Sequence, residues 1–183
     1  MVEIKLPDAK PAFEWINGRA LQKVSPKWRH ALAQGRFFTA LDRWARRTRS
    51  GVAGTEWRFR LQPTGETRRP LVPDVAYVSY KRLPHARMQT IDEPTIAPDA
   101  VVEVKSPGDR ATDIAEKVRI YMATGSAVLF LVDPRARTVT IVDASGRRRL
   151  GERAVITHRA LPHFRLAVKE LFELPRPRYV AKK

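Results

Sequence analysis

The pattern of apolar and polar positions predicts a hairpin followed by two helices. Two extended runs, "FEWI" and "RALQKV", flank Asn17-Gly18, a dipeptide that favours a type I′ hairpin turn. The next segment, "SPKWRHALAQGRFFTALDRWARRTRSG", predicts a long helix with Ser25 as its N-cap and Pro26 at the first helical position. A second helix is predicted over "SPGDRATDIAEKVRIYMATG", where Asp109 can cap the start. The predicted apolar stripe of the first helix consists of Trp28, Ala31, Phe38, Leu41 and Ala45.

Extended apolar runs predict the strands of a mixed sheet. The segments "GTEWRFRLQP", "RRPLVPDVAYVSY" and "DAVVEVK" predict three strands between the two helices, and residues 81–98 predict a long polar loop. The continuous apolar run "SAVLFLVD" is typical of a strand that is covered on both faces. "TVTIVDASGRRRL" predicts a peripheral hairpin around Ser145-Gly146. The order α-β-β-β-α-β indicates an α/β fold with a mixed central sheet flanked by helices, plus an N-terminal hairpin and peripheral C-terminal strands.

Length and charge limit the class of protein. The 183 residues favour one domain over residues 1–175, followed by a basic tail at residues 176–183. The formal net charge is +16, from 35 Lys and Arg against 19 Asp and Glu, which indicates a polyanionic partner. Of the polyanionic partners, nucleic acid is the preferred candidate and an anionic membrane is the second. The alternative is a protein that is basic for other reasons, including solubility.

Cysteine content and hydropathy exclude further classes. The chain has no cysteine, which excludes disulfides, thiolate zinc sites and a cysteine nucleophile. No apolar run approaches the length of a transmembrane span. We therefore expect a cytoplasmic protein with no membrane partner.

The long helix carries a basic stripe and a polar pair. Arg29, Arg36 and Arg43 lie on the side opposite the predicted apolar stripe, where they either face solvent or follow a phosphate backbone. His30 and Gln34 are four residues apart near the apolar stripe. They form either a partly buried structural pair or a pair that contacts a phosphate or a water in a nucleic-acid site.

The strand "AVVEVK" carries a carboxylate and an ammonium on one face. Alternation places Val101, Glu103 and Lys105 on the same side, and Asp74 begins the preceding strand. If the two strands are neighbours, Asp74 and Glu103 converge, and two close carboxylates repel unless a cation lies between them. Mg²⁺ removes this conflict and can activate water for phosphodiester hydrolysis. The alternative is a surface ion pair between Glu103 and Lys105.

These residues resemble the PD-(D/E)XK nuclease signature. Pro73-Asp74 on one strand and Glu103-Val104-Lys105 on the next match its two parts, and nearly the whole chain resembles the Uma-two family of restriction-endonuclease-like proteins. The matching stretches are "VPDVAYVSYKRLP", "APDAVVEVKSPGDRATDIAEKVRIYMATG", "VLFLVDPRARTVTIV" and "LPHFRLAVKELF". The resemblance implies a restriction-endonuclease-like fold, a metal-dependent endonuclease that uses Mg²⁺ (or Mn²⁺ in its place), and DNA as substrate.

The resemblance also implies roles for individual residues. Asp74 and Glu103 correspond to metal ligands and Lys105 to the signature lysine. In relatives with an apolar residue at that position, a helix lysine matching Lys117 acts instead; here an ion pair between Lys117 and Asp113 is the simpler interpretation.

A further acidic residue is expected from the superfamily. Glu56 is the preferred candidate and Glu14 the second. Where relatives often have Asp-Gly-Glu in the first hairpin, this chain has Asn17-Gly18-Arg19.

Three function hypotheses follow. The first is a Mg²⁺-dependent endodeoxyribonuclease. The second is a nucleic-acid-binding protein of the same fold that does not cleave, and the third is a structural or regulatory partner protein. A two-fold homodimer would provide two active sites for two DNA strands.

Overall fold

The computed structural model describes residues 3–23 and 25–174 as a six-stranded sheet with helices on both faces and short hairpins around it. The basic tail predicted at residues 176–183 lies outside the described residues. The helices are α1 (Trp28–Thr48), α2 (His85–Met88) and α3 (Ala111–Ala123), with a 3₁₀ turn at Val168–Leu171. The strands are β1 (Phe13–Ile16), β2 (Arg19–Gln22), β3 (Gly51–Thr55), β4 (Phe59–Leu61), β5 (Arg69–Leu71), β6 (Val75–Ser79), β7 (Ala100–Val104), β8 (Val128–Asp133), β9 (Thr138–Asp143), β10 (Gly146–Leu150), β11 (Val155–His158) and β12 (Leu161–Ala167).

The central sheet confirms the predicted α-β-β-β-α-β core. Its strand order is β10-β9-β8-β7-β6-β3, and the core elements follow the chain as α1, β3, β6, β7, α3 and β8. Only β7 and β8 run parallel among these strands; the other neighbours are antiparallel. The parallel pair needs a crossover connection, which α3 provides.

The two faces of the sheet bury different partners. One face carries Val102 and Val104 against the apolar side of α1, whereas the other carries Val101 against α3 and the β1–β2 hairpin. The alternation of the valines in β7 therefore follows the predicted pattern. Because Glu103 shares its face with Val101, its side chain points to the α3 side.

The buried stripe of α1 differs from the predicted one. The helix begins at Trp28 without a side-chain cap, and the Trp28 side chain is 65% exposed. The predicted stripe rested on helical spacing alone. In the structure Trp44 packs edge-on against Tyr77 and donates its indole N–H to the Pro162 carbonyl of β12 at 2.8 Å. This second partner rotates the buried face to Ala33, Phe37, Leu41, Trp44 and Ala45.

Two of the predicted strands are each split into two. Glu56 has a φ of 52°, a left-handed conformation that ends β3 and separates it from β4. Pro73-Asp74 separates β5 from β6, since proline cannot donate to a sheet ladder. The predicted loop at residues 81–98 contains the short helix α2. These breaks place Glu56 and Asp74 at strand ends.

The first hairpin turn forms as the sequence predicts, whereas the predicted cap of α3 does not form. Asn17 and Gly18 have φ values of 49° and 75°, as a type I′ turn requires, and they join β1 to β2. Asp109 does not cap α3: its carboxylate accepts the Ser106 N–H at 2.7 Å, and Arg110 is the N-cap residue.

No helix within residues 3–23 and 25–174 is long and apolar enough to span a membrane.

Candidate active site

The structure brings Asp74 and Glu103 together at one end of the sheet. Val75 of β6 lies opposite Val102 of β7, so the same antiparallel register places Asp74 opposite Glu103, where Cβ atoms are about 5 Å apart. Both side chains are buried, and they line one pocket. Asp74 Oδ2 accepts the Val104 N–H at 2.7 Å, which fixes the carboxylate beside the strand that carries Glu103.

The buried third carboxylate is Glu14, not the preferred candidate Glu56. Glu14 Oε1 accepts the Val72 N–H at 2.8 Å, and only 1% of the residue is exposed. The Glu56 side chain is 47% exposed and contacts Lys23 at the rim. The reason is the alternation of β1, in which Glu14 and Ile16 both point inward. We call Glu14, Asp74 and Glu103 the carboxylate cluster.

Two lysines neutralise the carboxylate cluster. Lys117 Nζ lies 2.6 Å from Glu14 Oε2 and 3.1 Å from Glu103 Oε2. Lys23 Nζ lies 2.7 Å from Asp74 Oδ1 and donates to the Val72 carbonyl at 2.9 Å. The interpretation of Lys117 as the partner of Asp113 is therefore wrong.

Asp113 instead holds the N-terminal hairpin on α3. Asn17 Nδ2 donates to Asp113 Oδ1 at 2.9 Å, and Arg19 Nη2 pairs with Asp113 Oδ2 at 2.6 Å. The contacts join the turn after Glu14 to the helix turn before Lys117. Arg19 thus has a structural partner in Asp113.

Lys105 lies at the edge of the site. Its side chain is 43% exposed, and Nζ is 3.4 Å from Asp133 Oδ2 at the end of β8. Among the described residues, Asp133 is the acidic partner within salt-bridge distance of Lys105, whereas Lys117 contacts Glu103 directly. The signature lysine therefore lines the pocket without touching the carboxylate cluster.

The polar pair of α1 does reach the site. His30 Nε2 lies 3.5 Å from Asp74 Oδ1, while Nδ1 is 3.0 Å from Ser106 Oγ. Gln34 Nε2 donates to the Asp74 carbonyl at 2.9 Å and to Glu56 Oε1 at 3.1 Å. The two side chains thus hold the start of β6 and the loop after β7 around Asp74.

The basic stripe of α1 is exposed as predicted, but it faces away from the site. Arg29, Arg36 and Arg43 are all exposed. The opposite side of α1 packs on the sheet face that carries Val102, whereas Glu103 opens on the other face. The sheet therefore lies between Glu103 and the outer surface that Arg36 and Arg43 form.

The sequence analysis identified only part of the site. Lys23 follows a hairpin strand with no local sign of burial. Tyr121, fully buried and four residues after Lys117, places its hydroxyl beside the Glu103 carboxylate. Its helical spacing from Lys117 is the signal that could have identified it. Glu14 carried a signal as well, a charge in phase with the apolar Ile16.

Burial and charge act in opposite directions on the two strand carboxylates. Burial favours protonation of Asp74, but the nearby Lys23 and His30 outweigh it and hold the pKa of Asp74 well below its usual range. Burial raises the pKa of Glu103 to about 8; Lys117 opposes the shift and Asp74 adds to it. Burial also opposes the charged forms of Lys23 and Lys117, yet the carboxylates around them raise both pKa values.

The donor set fits a hard divalent cation. Glu103 Oε1 is buried without a hydrogen-bond partner among the described residues, and it belongs to the carboxylate whose charge is least stabilised. Within residues 3–23 and 25–174 no group of three or more His, Asp or Glu side chains is arranged to bind a metal ion. Mg²⁺ commonly takes one or two carboxylates and keeps waters, which is the kind of ligand set that Asp74 and Glu103 offer.

Substitution of Glu103 by Gln is expected to flatten the pH dependence of stability. The raised pKa means that folded Glu103 keeps a proton which the unfolded chain releases above the ordinary glutamate pKa of 4.5. The free energy of unfolding therefore falls as pH rises from 4.5 to about 8, by at most roughly 1.4 kcal/mol per pH unit. Urea unfolding across this range measures the slope. Glu170→Gln, at an exposed residue of the 3₁₀ turn, should keep the wild-type slope; equal slopes for all three proteins would contradict a protonated Glu103.

Comparison with known proteins confirms the resemblance that the motifs indicated. A family model described as "Uma2: Putative restriction endonuclease" matches residues 4–169. A crystal structure described as a "putative nuclease belonging to DUF820", from Anabaena variabilis, has a TM-score of 0.80 at 24% sequence identity and is similar in fold; the match covers 91% of this chain and 93% of that chain. No curated protein matches the chain. The chain therefore belongs to the Uma2 family, which is the Uma-two family that its motifs resemble.

Proposed function

We propose that this protein is a Mg²⁺-dependent endonuclease that hydrolyses phosphodiester bonds in DNA. The observation that carries the proposal is the pair of buried carboxylates Asp74 and Glu103 on adjacent strands, with Lys117 in contact and with no hydrogen-bond partner for Glu103 Oε1 among the residues that the structure describes. Membership of the Uma2 family and the net charge of +16 support a polyanionic substrate.

The carboxylate cluster opens into a cleft that can admit a nucleic-acid strand. Lys23, His30 and Asp74 line both the buried pocket around Glu103 and an open cleft of about 1160 Å³. His30 and Gln34 lie on the α1 side of the cleft, where they hold Asp74 in place beside the path of a bound strand. A strand lying in this cleft would pass directly over Asp74.

Asp74 and Glu103 would hold the Mg²⁺, and Lys117 would assist from α3. The ion, when bound, would make a coordinated water more acidic and stabilise charge on the scissile phosphate. Lys117 keeps its proton beside Glu103, so its ammonium can stabilise negative charge in the pentavalent transition state. Lys23 neutralises Asp74 from the cleft side, and Val104 N–H holds the second oxygen of that carboxylate.

A nucleic-acid-binding protein without cleavage activity is the second candidate. With Glu103 protonated at neutral pH, two lysines balance the charges of Glu14 and Asp74, and the cluster needs no cation for neutrality. This arrangement favours a structural ion-pair network in the interior. The two candidates differ in whether a metal ion changes what the protein does to DNA.

Nicking of supercoiled plasmid distinguishes the two candidates. We expect relaxed and then linear plasmid with Mg²⁺ or Mn²⁺, and no product when EDTA removes the metal. Gel electrophoresis of time courses at several protein concentrations measures the rate. Retention of plasmid on the protein at low salt, without nicking in either metal, would overturn the nuclease proposal and leave the binding protein. Linear product that appears early would agree with two sites in a homodimer, which stays a prediction.

A further inference from the structure

The edge strand β10 carries three consecutive arginines that the site described above does not use. Arg147, Arg148 and Arg149 are all exposed, and β10 is the outermost strand of the central sheet. Within the part of the chain that the structure describes, no acidic side chain forms an ion pair with any of them. The segment 134–150 contains five arginines and one acidic residue, so this end of the sheet is strongly cationic.

The sheet register aligns one of these arginines with the carboxylate cluster. Glu103 of β7 lies opposite Leu131 of β8, and Leu131 lies opposite Thr140 of β9. Thr140 in turn lies opposite Arg149 of β10. Residues directly opposite one another share a face, so Arg149 points to the same side of the sheet as Glu103. Three strand spacings separate them, about 14 Å.

A second arginine lies on the same face and the third on the other. Arg147 is opposite Val142, which belongs to the apolar cluster under α3. Arg148 is opposite Ile141, which belongs to the cluster under α1. Alternation along β10 therefore presents two cations towards the side of the candidate active site and one towards the opposite side.

Polar groups connect the carboxylate cluster to β10 along the end of the sheet. Lys105 lines the pocket with Glu103 and contacts Asp133. Asp133 lies opposite Thr138, and Arg149 Nε donates to Thr138 Oγ1 at 3.3 Å. The cations at the two ends of this path, Lys105 and Arg149, thus lie on the Glu103 side of the sheet, whereas the arginine stripe of α1 lies on the other side.

We propose that Arg147 and Arg149 bind the phosphate backbone of the DNA that extends from the candidate active site across β9 and β10. The inference rests on the proposed function and names a second contact surface for the same substrate. A distance of about 14 Å corresponds to roughly four base pairs at a rise of 3.4 Å per pair. Protection of an edge strand from pairing with another chain would also use arginines, but it would not require them to face Glu103.

Salt dependence of DNA binding tests this proposal without relying on cleavage. Binding of a fluorescein-labelled duplex is measured by anisotropy in EDTA across a series of salt concentrations. Each phosphate contact contributes about 0.9 to the slope of log K against log salt, so Arg147→Ala/Arg149→Ala should reduce the slope by about 1.8. Arg147→Lys/Arg149→Lys should keep the wild-type slope, because it preserves both charges.

The matched control removes two charges from the opposite side. Arg148 and Arg159 are exposed and line one surface depression near β12, so Arg148→Ala/Arg159→Ala has the same net charge as the alanine test variant. Its slope should equal that of the wild type. An unchanged slope for Arg147→Ala/Arg149→Ala, or an equal reduction in the control, overturns this inference while nicking by the wild type still supports the nuclease. A wild type that neither binds nor nicks DNA overturns both.

Discussion

Replacement of Asp74 by Asn is expected to reduce plasmid nicking more than about 100-fold, the scale of removing one charged group from a preorganised site. The carboxylate uses one oxygen for the Val104 N–H and directs the other to Lys23 and His30 at the cleft. Asn preserves the size of the side chain but removes the charge that would hold Mg²⁺. Initial nicking rates at saturating Mg²⁺ measure the effect.

The same substitution leaves Lys23 buried without its main partner. Breaking a buried ion pair on one side costs about 3–5 kcal/mol, so Asp74→Asn should also lower the free energy of unfolding. Asp74→Asn/Lys23→Met removes both charges and should recover much of the stability without recovering nicking. Asp42→Asn, which disrupts an exposed pair with Arg46, is the matched control and should change neither quantity appreciably. A nicking rate for Asp74→Asn within a few-fold of the wild-type rate would contradict the assignment of Asp74 as a metal ligand.

The core of the fold could be predicted because its signals are local. The Asn17-Gly18 dipeptide requires positive φ at both positions, and the alternation in "AVVEVK" determines which valines face which layer. The buried face of α1 was predicted at the wrong position around the helix, because β12, which is distant in the sequence, covers part of the helix. The breaks at Glu56 and Pro73 depend on single backbone conformations that an extended apolar pattern does not reveal.

In the candidate site, too, residues with a local signal could be predicted, whereas residues brought together by contacts distant in the sequence could not. Asp74 and Glu103 were predictable from a strand end and a charge in a buried strand. Glu14, Lys23 and Lys117 come together only when the N-terminal hairpin docks on α3 through Asp113, a contact between residues far apart in the sequence. The signature motif therefore indicated the positions of the two carboxylates, but it did not indicate that Lys117 contacts Glu103 while Lys105 lies at the edge.

Lys117→Met is expected to reduce nicking more than about 100-fold, whereas Lys105→Ala reduces it less than about tenfold. Lys117 is buried between Glu14 and Glu103, and its ammonium directly contacts Glu103, one of the two carboxylates that would hold the metal. Lys105 is more exposed and pairs with Asp133, where solvent screens its charge. Parallel plasmid time courses on the two variants give the ratio of rates.

Loss of Lys117 should also be visible in stability, because it leaves Glu14 and Glu103 close together without a shared cation. We expect the free energy of unfolding to fall by about 3–5 kcal/mol, the scale of removing one partner from a buried ion pair. Lys105→Ala, which removes an exposed ion pair, should unfold like the wild type at neutral pH. If nicking instead disappears in a fully stable Lys105→Ala and persists in Lys117→Met, the lysine of the signature strand performs the chemistry. The network around Lys117 is then structural, and the cation site must be centred nearer the end of β8 than the present geometry indicates.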